Sequence, residues 1–136
     1  MQQVPAQAYT VLLVDSDVRS NAAVAASLQR AGYRIRSYER AETLLTNLDE
    51  VTPPACVIAE FELPGMNGIE LSLQLGQRMP VIILTATGDV ATAVRAMRGN
   101  VADYLVKPYV ERDLIKRLQS VLRRHAEAAC NQSSRH

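Results

Sequence analysis

Six polar residues that could bind ions or phosphate follow four apolar runs of the chain. They are Asp15, Ser16 and Asp17, then Glu60, then Thr85, and finally Lys107. Carboxylate oxygens bind hard cations such as Mg²⁺, whereas a lysine ammonium and hydroxyl groups donate hydrogen bonds to anionic oxygens. An acid at the end of a buried strand costs free energy unless something uses it, so Glu60 in particular needs a role.

The pattern of apolar residues predicts the elements that position these side chains. Strands are predicted over 10–15, 34–38, 56–61, 80–86 and 102–107, and helices over 18–31, 41–49, 67–78, 89–98 and 111–124. Nearly continuous apolar runs are typical of strands buried on both faces. Strands that alternate with helices indicate an α/β fold, a parallel sheet covered by helices on both faces. Ligands of such sheets bind at the carboxyl ends of the strands, where all six polar residues would meet.

The composition is typical of one soluble globular domain. The chain has 136 residues, of which 48% are hydrophobic, and its net charge of +1 gives no field that would attract nucleic acid or a membrane. No apolar run approaches the roughly 18–20 residues that span a bilayer, and no signal peptide is visible. Cys56 and Cys130 do not make a disulfide framework. We therefore expect a cytoplasmic protein.

Four stretches of the sequence, in this order, resemble the receiver domain of bacterial two-component response regulators. They are "VLLVDSD", "LPGMNGIEL", "PVIILTATGDVATAVRAM" and "DYLVKP". The third resembles receivers that precede DNA-binding output domains. The resemblance implies a doubly wound (βα)5 domain over 9–125, with a five-stranded parallel sheet in the flavodoxin-like order 2-1-3-4-5. Residues 1–8 would then form an N-terminal extension, and residues 126–136 a polar tail or truncated linker.

The resemblance also assigns roles by position. In that family, an Asp after the third strand accepts a phosphoryl group from a histidine kinase, and a pair of acids after the first strand holds Mg²⁺. Asp15 matches the first acid of this pair. Thr85 and Lys107 match the residues that bind phosphoryl oxygens. Tyr104 matches the aromatic that switches together with Thr85, and Pro108 stands where the family usually has a cis peptide bond.

Two residues depart from the family pattern. Ser16 replaces the second acid of the pair, and Glu60 replaces the phosphoacceptor Asp. A serine hydroxyl is a poor substitute for a carboxylate on Mg²⁺. We therefore expect no cofactor and weak or absent Mg²⁺ binding; any metal would use Asp15 and Glu60. Asp17 is expected to cap the first helix rather than to bind a cation.

Glu60 could occupy part of the space that a phosphoryl group would fill. Its extra methylene pushes the carboxylate outward by roughly 1.5 Å relative to Asp. There it could accept hydrogen bonds from Lys107 and Thr85. In-line phosphoryl transfer, by contrast, needs accurate placement of the acceptor and neutralisation of charge by a metal. We thus expect an atypical receiver, not an enzyme, that acts in signal transduction or transcription regulation without aspartyl phosphorylation. In this interpretation the Glu60 side chain imitates the phosphorylated state.

Two other functions are compatible with the same fold. One is a working Mg²⁺-dependent phosphoacceptor that uses Glu60 or a neighbouring acid. The other is a flavin or nucleotide binder, which the stretch "DSDVRSN" disfavours because it lacks glycines and begins with acids that would repel phosphate.

The partner is expected to be a protein or a fused output domain that binds the predicted fourth and fifth helices. The fifth carries six basic or titratable residues, namely Arg112, Lys116, Arg117, Arg123, Arg124 and His125. We interpret them as a solvated face rather than a nucleic-acid site. By resemblance, Asp103, Glu111 and Asp113 could pair with them across the two-fold axis of a homodimer.

Overall fold

The computed structural model describes residues 9–51, 55–86, 88, 91, 93, 95, 97 and 100–133. Five strands form one parallel sheet: β1 (Thr10–Val14), β2 (Arg34–Tyr38), β3 (Ala55–Glu60), β4 (Val81–Thr85) and β5 (Asp103–Val106). Their spatial order is β2-β1-β3-β4-β5, so both the predicted α/β class and the strand order are confirmed. The alternating run 34–38 is an edge strand, as its pattern suggested.

Four helical elements have both ends within the described residues. They are α1 (Val18–Arg30), α2 (Ala41–Thr46) with a short 3-10 turn over Leu48–Glu50, α3 (Gly68–Leu75), and a last helix over Glu111–Ser133. The predicted fourth helix lies partly outside the described residues, but Ala91, Ala93, Arg95 and Met97 are helical. The expected extension over 1–8 also lies outside them. Within the described part of the chain, no helix is long and apolar enough to cross a bilayer.

Two apolar clusters lie on opposite faces of the sheet because successive strand residues point to opposite sides. On one face, Leu13 and Ile58 pack with residues of α1 and the last helix, such as Leu28 and Leu118. On the other face, Leu12, Val57 and Ile83 pack against Leu44 of α2 and Leu71 of α3. Burial of these side chains is the main stabilising term, at about 1.5–3 kcal/mol for each large apolar residue.

The ends of the helices follow the local sequence. Asp17 caps α1 by accepting the backbone N–H groups of Arg19 and Ser20, at 2.9 and 3.2 Å, which confirms the predicted cap. Asn67 and Glu70 form a reciprocal capping box at the start of α3. The last helix continues nine residues beyond the predicted end at Arg124 and reaches Ser133.

Candidate functional site

The strand order brings the predicted site residues to one edge of the sheet. Val14 lies opposite Ala59, so Asp15 and Glu60 follow at the same level on neighbouring strands. On the next pair, Glu60 lies opposite Leu84, one residue before Thr85. The backbone N–H of Lys107 donates to the Thr85 carbonyl at 2.8 Å, and this bond fixes Lys107 beside β4. The Lys107–Pro108 peptide bond is cis, as the resemblance implied.

Glu60 and Lys107 form an ion pair at the centre of this edge. Lys107 Nζ contacts Glu60 Oε1, and the side chains are 30% and 12% exposed, respectively. Lys107 Nζ also lies 3.4 Å from the hydroxyl of Ser20 on α1. Burial raises the pKa of the Glu60 carboxyl; Lys107 opposes this shift, and the negative charge of Asp15 adds to it. The ion pair is thus formed in a partly desolvated pocket that carries more acid than base.

Asp15 is buried and hydrogen-bonded to its neighbours. It is only 4% exposed. Its Oδ1 accepts the backbone N–H of Asp17 at 2.9 Å, whereas no partner is found for Oδ2 among the described residues. The buried Asn21 side chain donates to the carbonyls of Asp15 and Tyr38, at 3.1 and 3.2 Å. These bonds fix the turn from β1 to α1, and they orient the Asp15 carboxylate next to Glu60.

Ser16 and Asp17 do not join this buried pair. Both are exposed, and the Asp17 carboxylate is occupied by the N–H groups that it caps. The structure therefore brings Asp15, Glu60 and Lys107 together and leaves Ser16 and Asp17 at the rim.

Thr85 and Tyr104 lie on neighbouring strands. Thr85 ends β4 and is 3% exposed. Tyr104 lies in β5 opposite Ile83, and it is partly buried against the apolar cluster on the α2–α3 face. Its backbone carbonyl accepts from Arg117 of the last helix at 3.4 Å. Tyr104 is therefore a partly buried residue on the strand next to Thr85, and its backbone is bonded to the last helix.

Tyr109 is a site residue that sequence reasoning missed. It follows Pro108 and lines a groove of about 670 Å³ between α1 and the last helix, together with Ser20, Lys107 and Leu114. Burial raises the pKa of its phenol to about 12, and the negative charges of Glu60 and Asp15 add to the shift. An aromatic residue directly after Lys-Pro, at the end of a predicted strand, was the available signal.

The backbone behind Glu60 is packed without spare space. A Cβ atom on Gly68 would lie 2.6 Å from the Glu60 carbonyl oxygen and 2.8 Å from Ile83 Cδ1. Real Cβ atoms do not approach this closely, so only glycine allows α3 to begin against the end of β3. The guanidinium of Arg95 lies over the ring of the next residue, Phe61, at 5.6 Å from its centroid.

The donor set fits a divalent cation poorly. The buried Oδ2 of Asp15 is an oxygen that a cation could use. However, Glu60 is engaged by Lys107, and position 16 offers only a serine. Among the described residues, no group of three or more His, Cys, Asp or Glu side chains is arranged to hold a metal ion. Mg²⁺ prefers several hard, charged oxygens in octahedral geometry, and the carboxylates of this pocket supply few of them.

Comparison with known proteins shows the same family throughout. The model of the response regulator receiver domain matches residues 11–119. The chain is 35% identical over 115 residues to the C4-dicarboxylate transport transcriptional regulatory protein DctD of Pseudomonas aeruginosa, covering 82% of this chain and 25% of that protein. It is 31% identical over 120 residues to the phosphate regulon transcriptional regulatory protein PhoB of the same organism, covering 85% of this chain and 52% of that protein.

Solved structures agree with these matches. The response regulator StyR superposes with a TM-score of 0.78 at 30% identity, covering 93% of this chain and 65% of that one. Full-length FixJ of B. japonicum gives a TM-score of 0.81 at 28% identity, covering 91% of this chain and 62% of that one. This chain thus spans between a quarter and about half of the length of the two curated relatives. With its fold and most of its length matched in this way, the chain belongs to the response regulator receiver domain family.

Proposed function

We propose that this receiver domain signals without phosphorylation of an aspartate, and that the Glu60 carboxylate takes the place of a phosphorylated side chain. The observation that carries the proposal is the ion pair between Glu60 and Lys107. Lys107 matches the family residue that binds a phosphoryl oxygen, and here it is already engaged by an oxygen of the protein itself. The pocket is therefore occupied by its own anion.

The imitation is partial in charge. A phosphoryl group carries about −1.5 to −2 charges and three acceptor oxygens, whereas Glu60 supplies one charge and two oxygens. A single carboxylate can satisfy Lys107, but it offers less charge and fewer acceptor oxygens to a second donor than a phosphoryl group does. We therefore expect the domain to hold one conformation rather than to alternate between two strongly populated ones.

Weak or absent Mg²⁺ binding is part of the same proposal. A cation bound next to Asp15 would need to compete with Lys107 for the Glu60 carboxylate. Position 16 would contribute a hydroxyl in place of a carboxylate. Both features lower the affinity of the pocket for a hard dication.

The output is proposed to be transcription regulation in the cytoplasm, through a partner or fused output domain. This rests on the names of the longer relatives DctD and PhoB, which are transcriptional regulatory proteins. The surface would be the helical segment that includes Ala91, Ala93, Arg95 and Met97, together with the last helix. A homodimer through this surface would compete with pairs formed inside the chain, because Asp103 binds Arg117 and Glu111 binds Arg30, each at 2.9 Å.

Intact mass after incubation with acetyl phosphate and Mg²⁺ tests the proposal. The wild-type protein, Glu60→Asp, Ser16→Asp and the double variant would be compared under identical conditions. We expect the wild-type mass to be unchanged and the double variant to gain one phosphate, since it regains both the acceptor and the second acid. The single variants then separate loss of the acceptor from loss of the cation ligand.

Phosphate on the wild-type protein would overturn the proposal. Mapping the modified residue by peptide mass would then decide between Glu60 and a neighbouring acid. Absence of phosphate on every variant would point to a pocket inaccessible to the donor, and titration of Mg²⁺ into the double variant by calorimetry would distinguish this from a failure to bind the metal.

A further inference from the structure

The loop after Glu60 is hydrogen-bonded to α2 through one side chain. Residues 61–67 connect β3 to α3, and the backbone N–H of Met66 donates to Glu42 Oε2 at 3.0 Å. Glu42 lies in the first turn of α2, 24 positions earlier in the chain. The bond therefore joins two elements that the sheet does not itself connect.

Gly65 shows how closely the loop approaches this carboxylate. Its φ is +74°, a conformation that glycine adopts without strain. A Cβ atom at this position would lie 2.4 Å from Glu42 Oε2 and 2.7 Å from Arg40 Nη2. The backbone of the loop thus rests directly against the side chains of Arg40 and Glu42, which themselves lie 3.7 Å apart as an ion pair.

The other end of the loop rests on Glu60. The N–H of Gly68 donates to the Phe61 carbonyl at 3.0 Å, and Gly68 leaves no space for a side chain against the Glu60 carbonyl. The loop consequently leaves Glu60 and returns to its backbone within eight residues. A shift of Met66 away from α2 would be transmitted to the start of α3 and to the end of β3.

Glu42 is suited to hold the loop as an anion. The Met66 N–H and its own backbone N–H lower the pKa of its carboxyl, and the charge of Arg40 acts in the same direction. Hydrogen bonds to an ionised acceptor are stronger than those between neutral groups.

We propose that Glu42 is a positioning residue, whose bond to Met66 fixes the loop after β3 and thereby the backbone that presents Glu60 to Lys107. This inference rests on the proposed function, since it explains how an unphosphorylated pocket keeps one geometry. It assigns to α2 a role in the pocket although α2 contributes no residue to it.

Nuclear magnetic resonance on the whole chain tests the proposal with four proteins: wild type, Glu42→Ala, Glu42→Gln and Glu39→Ala. Glu39→Ala removes an exposed acid three residues earlier and serves as the charge-matched control. Two quantities are measured at pH 7, namely the exchange rate of the Met66 amide and the ¹³C shift of the Glu60 carboxyl. In Glu42→Ala we expect the Met66 amide to exchange about tenfold faster, because one charge-assisted hydrogen bond is lost. We also expect a displaced Glu60 carboxyl signal.

Glu42→Gln keeps an acceptor oxygen but loses the charge, so it is expected to restore part of the slow exchange and to return the Glu60 signal towards its wild-type position. If the Met66 amide exchanges faster in Glu42→Ala while the Glu60 carboxyl signal stays in place, the loop is held only locally and the proposal is wrong. Unchanged exchange at Met66 would equally overturn it. If Glu42→Ala does not fold, Glu42→Asp, which is one methylene too short to reach Met66, replaces it.

Failure of this inference and failure of the proposed function can be told apart. The resonance experiments use unphosphorylated protein and report only on the link from α2 to Glu60. A phosphate gained by the wild-type protein would overturn the function and leave these resonance results unaffected.

Discussion

Lys107, at the end of β5, reaches past β4 to form an ion pair with Glu60 at the end of β3. The pair therefore spans three neighbouring strands. It depends on the register of two separate strand pairs, β3 with β4 and β4 with β5. Any change that alters this register would also alter the distance between the two charges.

Removal of either partner of this pair should destabilise the domain. We expect Glu60→Gln and Lys107→Met each to lower the free energy of unfolding by about 1–3 kcal/mol, because each leaves a largely buried charge without its partner. The double variant should lose less than the sum of the two, since no unpaired charge remains. Urea unfolding of the four proteins measures this coupling, and strictly additive losses would contradict the ion pair.

Glu60→Ala should change the surroundings of Tyr104 if Glu60 imitates a phosphorylated side chain. Without the carboxylate, Lys107 loses its partner, and a switch through Thr85 and Tyr104 would lose the anion that sets it. We expect displaced ring resonances of Tyr104 or a changed association state by light scattering. Identical spectra and identical association in the variant would contradict the imitation.

Stability should fall at alkaline pH because of Tyr109. Its folded pKa is about 12, against an ordinary value of 10.0. The stabilising contribution is complete below pH 10 and is lost as the pH rises towards 12, because the unfolded chain ionises its phenol first. The loss should amount to about 1–2 kcal/mol, less than the full shift implies, since solvent enters the open groove.

Urea unfolding at several pH values between 9 and about 12 measures this loss. Tyr109→Phe should show a shallower decline than the wild type, and Tyr38→Phe serves as a control for removal of a phenol at β2. Equal slopes for Tyr109→Phe and the wild-type protein would show that the Tyr109 phenol does not contribute.

Asn21→Ala should weaken the turn that carries Asp15. The variant removes the Asn21 amide from the carbonyls of Asp15 and Tyr38. The Tyr38 carbonyl still accepts the backbone N–H of Asp15 at 3.0 Å, whereas the buried Asp15 carbonyl loses its side-chain donor. A buried acceptor without a partner costs about 1–3 kcal/mol, and we expect a loss of that size in thermal or urea unfolding. Gln29→Ala, at an exposed position of the same helix, is the matched control. A loss no larger than that of the control would contradict this role.

The sheet and its polar edge could be predicted from the sequence because both depend on local patterns. Continuous apolar runs specify buried strands, and the residues that end them then meet through strand order alone. The capping residues Asp17 and Asn67 were visible for the same reason, since a cap needs only its own next three residues.

Contacts between distant segments could not be predicted in this way. The bond from Met66 to Glu42 joins positions 24 apart, and no periodicity links them. The burial of Tyr109 depends on the direction in which the chain leaves β5. The continuation of the last helix was missed because its apolar period stops after Leu122, whereas alanines at 126, 128 and 129 favour a helix without packing.

The last helix also has a mechanical consequence. Its contacts with the sheet end near Leu122, yet the helix continues to Ser133. At 1.5 Å per residue, the part beyond Leu122 is about 16 Å long. A tilt of about 10° around Leu122 would therefore carry Ser133 through about 3 Å. A small change of tilt where the last helix leaves the sheet would therefore become a displacement of a few ångströms at its end.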